Sequence, residues 1–251
     1  MSCTLITFSP TGGTEKTARL LASAIAEHWQ TVDLLKPVSG LSFSADDLCL
    51  IALPSYGGRI PTLSAERLRT IRAEGTRAIL LCVYGNRAYE DTLSELQDLL
   101  EDQGFVCIAA AAAIAEHSIF REFGAGRPDA ADAAELNLFG EKIRERLMTA
   151  GTGTLTLPGT HGTYKPYTNS ALVPAETAVC TNCGTCRAEC PADAIGNTPA
   201  EIDPGRCIKC MRCVSVCPTG ARRPEPKLLE PLYERLKPLC AGRKTNELFL
   251  I

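Results

Sequence analysis

The run Cys180-Thr181-Asn182-Cys183-Gly184-Thr185-Cys186-Arg187-Ala188-Glu189-Cys190-Pro191 spaces four cysteines as Cys-x2-Cys-x2-Cys-x3-Cys and closes on proline. The same string returns at Cys207, Cys210, Cys213, Cys217 and Pro218, every position shifted by 27. Eight of the thirteen cysteines thus fall into two copies of one spacing. Three thiolates spaced by two residues can wrap one face of an iron–sulfur cubane, and the fourth ligand must come from a distance. The proline after the fourth cysteine can neither extend a helix nor donate a backbone hydrogen bond, so it turns the chain away. The competing readings are a disulfide scaffold and a pair of zinc sites. Zinc ribbons use Cys-x2-Cys pairs rather than quartets ending in Cys-Pro, which favours the cubane. Cluster chemistry needs free thiols and so predicts a reducing, cytoplasmic setting.

This spacing resembles the motif of bacterial two-cluster ferredoxins, in which each copy lends its fourth cysteine to the other copy's cluster. The resemblance implies one [4Fe-4S] cluster on Cys180, Cys183, Cys186 and Cys217, and a second on Cys207, Cys210, Cys213 and Cys190. The segment is poor in large apolar residues, so two clusters would have to supply much of its cohesion.

Upstream, strands and helices alternate. Residues 3–8 form a short apolar, β-branched run. A turn through Ser9-Pro10-Thr11-Gly12-Gly13-Thr14 follows, then a helix with Ala18, Leu21, Ala22 and Ile25 on one stripe. Loop hydroxyls and helix N-terminal amides in that order make an anion site. A Walker A reading fails because Glu15 stands where such a loop needs glycine before its lysine. Further strands are predicted near residues 31–35, 48–53, 78–84 and 105–114, the continuous apolar runs suiting parallel strands buried on both faces. Helices are expected near 63–71, from about 92 to 103, and after Pro128, the last capped by Asp129. The alternation predicts a doubly wound α/β domain of five parallel strands.

Three loops then make residues 1–150 resemble a flavodoxin, a family with strand order 2-1-3-4-5 and FMN at the carboxyl edge of the sheet. Ser9, Thr11, Gly12, Gly13 and Thr14 resemble the family's phosphate loop. The loop from Ser55 through Tyr56, Gly57 and Gly58 resembles the first loop against the isoalloxazine ring. The loop from Gly85 through Asn86, Arg87 and Tyr89 to Asp91 resembles the second. The resemblance implies that Tyr56 and Tyr89 flank the ring and that amides near Gly57, Gly58 and Asn86 bond its polar edge. Tryptophan often stacks on the flavin in that family, but the only tryptophan here, Trp29, ends the first helix. The order of the two parts, with Glu116-His117-Ser118 and the stretch from Pro54 to Pro61, resembles a family of prokaryotic flavodoxin–ferredoxin fusion proteins. His117 and Arg127, on a long segment after the last strand, are expected to approach the flavin or a cluster.

The expected organisation is an FMN domain over residues 1–150, a turn-rich linker over 151–174 and a small α+β two-cluster domain over 175–224. A C-terminal helix and tail over 225–251 follows, with Leu229, Leu232 and Leu236 on one helix face. Cys3, Cys49, Cys82 and Cys107 sit one to a strand, where a thiol behaves as a small hydrophobe; Cys240 also lacks ligand spacing. Residues 1–150 carry a net charge of -6 and residues 151–251 one of +3. So acidic a bulk speaks against nucleic-acid binding, and the positive part offsets two anionic clusters of about -2 each. No apolar run has membrane-spanning length, and Met1-Ser2-Cys3-Thr4 does not read as a signal peptide.

The function expected is electron transfer between FMN, the two clusters and protein redox partners, with a homo-oligomer left open. FMN accepts one or two electrons and each cluster passes one, so no side chain need act as a nucleophile. No second Gly-x-Gly-x-x-Gly unit offers a nicotinamide site. The alternatives are an FMN-dependent reductase of a small molecule fed by the clusters, and a redox sensor module.

Overall fold

A computed structural model describes residues 2–149, 153–167 and 172–251. In chain order the elements are β1 (Cys3–Thr7), α1 (Gly13–Ile25), β2 (Gln30–Asp33), β3 (Ser42–Phe43), β4 (Leu48–Pro54), α2 (Thr62–Leu68), β5 (Arg72–Ala73) and β6 (Thr76–Tyr84). They continue with α3 (Thr92–Asp102), β7 (Phe105–Ile114), α4 (Ala130–Met148), α5 (Thr185–Ala188), α6 (Arg212–Ser215), α7 (Pro226–Leu236) and β8 (Glu247–Leu250).

The main sheet runs β2-β1-β4-β6-β7-β8. Its first five strands are parallel, as the alternation predicted, in the 2-1-3-4-5 order that the family resemblance implied. The sixth is a correction to the five-stranded expectation. β8 pairs antiparallel with β7, from Ala109 opposite Leu250 to Ala112 opposite Glu247. Alternation of strand and helix could not announce it, because β8 comes from the far end of the chain and covers an edge that β7 would otherwise expose. β3 and β5 form a separate short parallel pair.

The apolar runs explain the layers. β1, β4, β6 and β7 are buried nearly throughout, with one core on each face of the sheet. Alanines 109–113 of β7 are small, and α1 packs closely on α4. A Cβ at Gly140 would stand 2.4 Å from the Ala24 Cβ, so only glycine lets the two helices meet there. Asp129 caps α4 in a reciprocal capping box with Asp132. Trp29 lies beyond α1 rather than at its last turn, and its indole N–H donates to the Ala22 and Ala26 carbonyls. It closes the helix end, far from any cofactor role. Cys3, Cys49, Cys82 and Cys107 are buried in the strands as expected, and Cys240 is buried as well.

Leu155 and Leu157 of the linker are buried in the core facing α2 and α3. Residues 151–152 and 168–171 of the expected linker lie outside the described residues. α7 also returns to the α/β part. Leu229, Leu232 and Leu236 pack around Phe120 and Phe123, and the Tyr233 ring stacks on Phe123 with centroids 5.4 Å apart. Among the described residues no helix is long and apolar enough to cross a membrane.

Candidate functional site

The two cysteine repeats fold into the same backbone twice. α5 and α6 occupy equivalent positions, 27 residues apart. Left-handed residues recur at the same offsets: Asn182 and Lys209, Gly184 and Met211, Asp193 and Gly220. Asn182, Lys209, Asp193 and Met211 hold this conformation despite a Cβ, which costs about 1 kcal/mol each. Such turns curl the loop so that amides face the sulfurs. The Ala194 N–H reaches the Cys190 Sγ at 3.4 Å and the Ala221 N–H reaches the Cys217 Sγ at 3.2 Å, again in equivalent places. Isolated antiparallel bridges, Ala175 with Arg223 and Ile195 with Ile202, tie the repeats together.

Cys190 lines one cavity with Cys207, Cys210 and Cys213, alongside Ile195 and Ile202. The fourth cysteine of the first repeat thus stands among the thiols of the second. Cys217 is in turn close enough to Cys183 to act on its charge. Four thiols around an apolar-walled cavity, with amides aimed at sulfur, fit a [4Fe-4S] group. Burial pushes the Cys210 thiol up to about 12 and the Cys213 thiol to about 11, so a bound metal must supply the charge that makes them thiolates. Cys183, fully exposed, has its pKa lowered by the Thr185 hydroxyl and amide. Arg222, 2% exposed, donates to the Pro174 and Pro199 carbonyls and to the Cys186 Sγ at 3.6 Å. It places a buried positive charge beside Cys186, a role the sequence reading did not single out.

The loops named from the sequence all leave the carboxyl ends of strands: 9–14 after β1, 55–60 after β4, 85–91 after β6 and 115–128 after β7. In the first, Gly12 takes φ 88° and opens α1. Ser9 and Thr14 are buried, and the Ser9 Oγ accepts from the Glu15 N–H at 2.9 Å, so Ser9 acts as a cap to the helix. Thr11 and Gly13 are half-buried and Gly12 is exposed at the open side. This hydroxyl-lined helix start fits a phosphate. The second loop is a tight hairpin in which Tyr56 and Arg59 exchange backbone hydrogen bonds. Gly57 and Gly58, at φ 62° and 86°, make the turn that needs two left-handed residues. Burial raises the pKa of the Tyr56 phenol, with the Cys210 thiol as its neighbour. Ser55 accepts from the Thr92 hydroxyl at 2.8 Å, and the Asp91 N–H donates to the Gly58 carbonyl at 3.0 Å, joining the second loop to the third.

The third loop is occupied by the C-terminal tail. The Asn86 amide donates to the carbonyls of Cys240 and Gly242 at 2.7 and 2.8 Å, leaving its buried Oδ1 without a hydrogen-bond partner. Lys244 donates to the Arg87 carbonyl, and Arg87 pairs with Glu90. Tyr89 packs on Tyr84 at 5.3 Å and donates to Glu247 of β8 at 3.1 Å. Tyr89 is thus held between β6 and β8 by its ring and its hydroxyl. The side chain of Asp91 accepts from the Thr160 N–H at 3.0 Å. His117 lies over Gly85, whose Cβ would come within 2.5 Å of the His117 ring. Its Nδ1 accepts from the Ile119 and Phe120 amides at 3.1 and 3.2 Å, and burial lowers its pKa to about 4, so the ring is neutral. Arg127 donates to the buried Asp132 and to the Lys244 carbonyl.

The sequence also missed Arg59. Buried at the second loop, it pairs with Glu95 and lies between the Tyr164 and Tyr167 rings, 4.8 and 4.2 Å from their centroids. An arginine directly after a Gly-Gly turn, with two tyrosines in the linker, was the available signal.

Finally, the second repeat rests on these loops. Arg212 donates to the Pro10 carbonyl at 3.2 Å and Ser215 to the same oxygen at 3.4 Å. Arg67 of α2 donates to the Pro191 carbonyl at 2.7 Å, and Ile208 packs on the core of the α/β part.

Two models, each described as a 4Fe-4S binding domain, match residues 177–193 and 200–223. "Ferredoxin Fdx2" of Sorangium cellulosum is 39% identical over 62 residues, which are 22% of this chain and 61% of that protein. The chain therefore spans less than two thirds of that relative. An "uncharacterized ferredoxin-like protein" of Haemophilus influenzae is 39% identical over 71 residues, 24% of this chain and 83% of its own length. Over the α/β part, Flavodoxin 1 from Bacillus cereus superposes with a TM-score of 0.43 at 17% identity, covering 58% of this chain and 98% of that one. A flavodoxin from Streptococcus pneumonia TIGR4 does so at 0.40 and 16%, covering 58% and 99%.

Proposed function

We propose, from the premise that the chain belongs through residues 177–193 and 200–223 to the ferredoxin-like proteins with 4Fe-4S binding domains, that it relays single electrons between two [4Fe-4S] clusters, an FMN and external redox proteins. The role as an electron-transfer protein follows from the 4Fe-4S binding domains together with the doubly wound α/β sheet. The observation that carries the finer reading is the seating of the second repeat on the loops at the sheet's carboxyl edge, through Arg212, Ser215 and Pro10.

Bound there, FMN supplies a couple that takes one or two electrons, whereas each cluster passes one. The chain's own residues do the rest. Thr11 and Thr14, with the amides at the start of α1, hold the phosphate. The Tyr56 hairpin offers an aromatic wall, its turn braced from behind by the Arg59–Glu95 pair. Ala194 and Ala221 amides stabilise charge on the Cys190 and Cys217 sulfurs. Arg222 adds a fixed positive charge beside Cys186.

Anaerobically purified protein is expected to release a flavin that runs as FMN on chromatography and about eight irons per chain, as two [4Fe-4S] clusters require. FAD, or no flavin after reconstitution, overturns the flavin half; about four irons overturns the cluster count. Thr14→Ala should weaken FMN binding by about 1–3 kcal/mol, the cost of a lost charged hydrogen bond, measured by titrating the apoprotein.

A further inference from the structure

Equivalent positions of the two repeats differ in exposure. Thr181, Asn182 and Cys183 of the first repeat are exposed, and Val179 before them is 60% exposed. Their counterparts Ile208 and Lys209 are half-buried and Cys210 is buried, while Cys186 of the first repeat is buried as Cys210 is. Among the described residues, these contacts seat the repeats on the α/β part beside the second thiol set or its immediate neighbours. Pro191 follows Cys190 and accepts from Arg67; Ile208 follows Cys207 and packs on the core; Tyr56 neighbours Cys210; Arg212 and Ser215 flank Cys213 and reach Pro10. The backbone turns repeat, and the asymmetry follows from the residues that differ, Ile208, Arg212 and Ser215 in place of Thr181, Thr185 and Ala188, which turn the second copy to the sheet edge.

We infer that the thiol set Cys190, Cys207, Cys210 and Cys213 is the inner one, exchanging electrons with the flavin site, and that the set Cys180, Cys183, Cys186 and Cys217 is the outer port for a one-electron carrier protein. This rests on the flavin reading given above. Electron transfer falls steeply with distance, so the covered set is the one placed to reach the loops at Pro10 and Tyr56. In the reducing direction, two carrier proteins each lose one electron at the outer set. With the groups bound, the inner set would pass these electrons singly to the loops at Pro10 and Tyr56, where a flavin would supply a couple that takes two electrons with two protons from solvent; oxidation would run in reverse.

The test is nuclear magnetic resonance on the full chain, reconstituted with iron, sulfide and FMN and reduced with dithionite. A reduced, paramagnetic cluster broadens nearby amide resonances. The amides of Thr11, Gly12, Gly57 and Gly58 are expected to be broadened in the wild type and in Cys183→Ser, and to regain narrow lines in Cys207→Ser. Iron content and EPR establish which cluster each variant has lost. The opposite pattern overturns the assignment. Should Cys207→Ser fail to fold, the double variant Arg212→Glu with Ser215→Ala keeps all ligands. It is expected to retain both EPR signals while the Thr11 and Gly12 lines sharpen, and unchanged broadening overturns the proposal. A chain with the expected broadening and no bound FMN overturns the flavin reading alone. A chain that binds FMN with the opposite broadening overturns the inner-and-outer assignment alone.

Discussion

Cys190 belongs to the first repeat by sequence and lies with Cys207, Cys210 and Cys213 in space. The turn at Pro191 and the amide of Ala194 hold it there. Cys190→Ser is therefore expected to damage the cluster held mainly by the second repeat, as read by iron counting and EPR against triple variants of either repeat. Damage to the cluster of Cys180, Cys183 and Cys186 instead would show uncrossed ligation. His117 makes a different residue-scale prediction. Burial takes its pKa from 6.5 to about 4, with Glu122 opposing and the Arg87 charge assisting. Between those values the unfolded chain binds the extra proton. This contribution to stability is complete above about pH 6.5 and lost as the pH falls toward 4, at up to about 1.4 kcal/mol per unit. Urea denaturation from pH 7 to 4.5 should show that slope, and His117→Asn, which keeps an acceptor for the two amides, should flatten it. Equal slopes would dismiss His117 as the titrating group.

Among the elements, α4 and the C-terminal tail depend on one buried carboxylate. Asp132, 1% exposed, accepts from Arg127, the Asp129 amide and the Asn246 amide. Burial alone would raise its pKa, but those hydrogen bonds and the Arg127 charge hold it below the usual carboxylate range. Asn246 in turn accepts from the Ile114 N–H at the end of β7. The cap of α4, the end of β7 and the approach to β8 are thus one polar assembly. Arg127→Ala leaves the Asp132 charge short of its main partner and should cost about 3–5 kcal/mol, as breaking a buried pair does. Chemical denaturation measures it, and a loss under about 1 kcal/mol would mean that Arg243, at 3.2 Å from the same carboxylate, compensates.

For the whole molecule, the proposed relay predicts that the seating of the repeats makes electron exchange an internal step. Arg212, Ser215 and Ile208 of the second repeat, with the Arg67 bond to Pro191, hold the thiols against the sheet edge, in one frame with the loops proposed to bind the flavin. After rapid anaerobic mixing with a reductant, flavin and cluster absorbance should change together, at a rate independent of protein concentration. Independent bands, or a rate proportional to concentration, would mean that the parts exchange electrons between molecules.

Sequence alone determined the cysteine quartets, the alternating strands and helices and the hydroxyl-rich turn after β1, because each depends on local spacing: thiols within a loop, apolar runs within a strand, a cap at a helix start. It could not determine β8, the tail over Asn86 and Tyr89, or the Arg59 stack, since these join residues more than 100 positions apart in chain order. They exist only because distant segments bury one another's edges and polar groups. The difference between the two repeats is of the same kind. Their cysteine spacing and backbone turns repeat while the residues between differ, Ile208, Arg212 and Ser215 standing where the first repeat has Thr181, Thr185 and Ala188, and contact of the second repeat with the carboxyl edge covers Cys210 while Cys183 stays open to solvent.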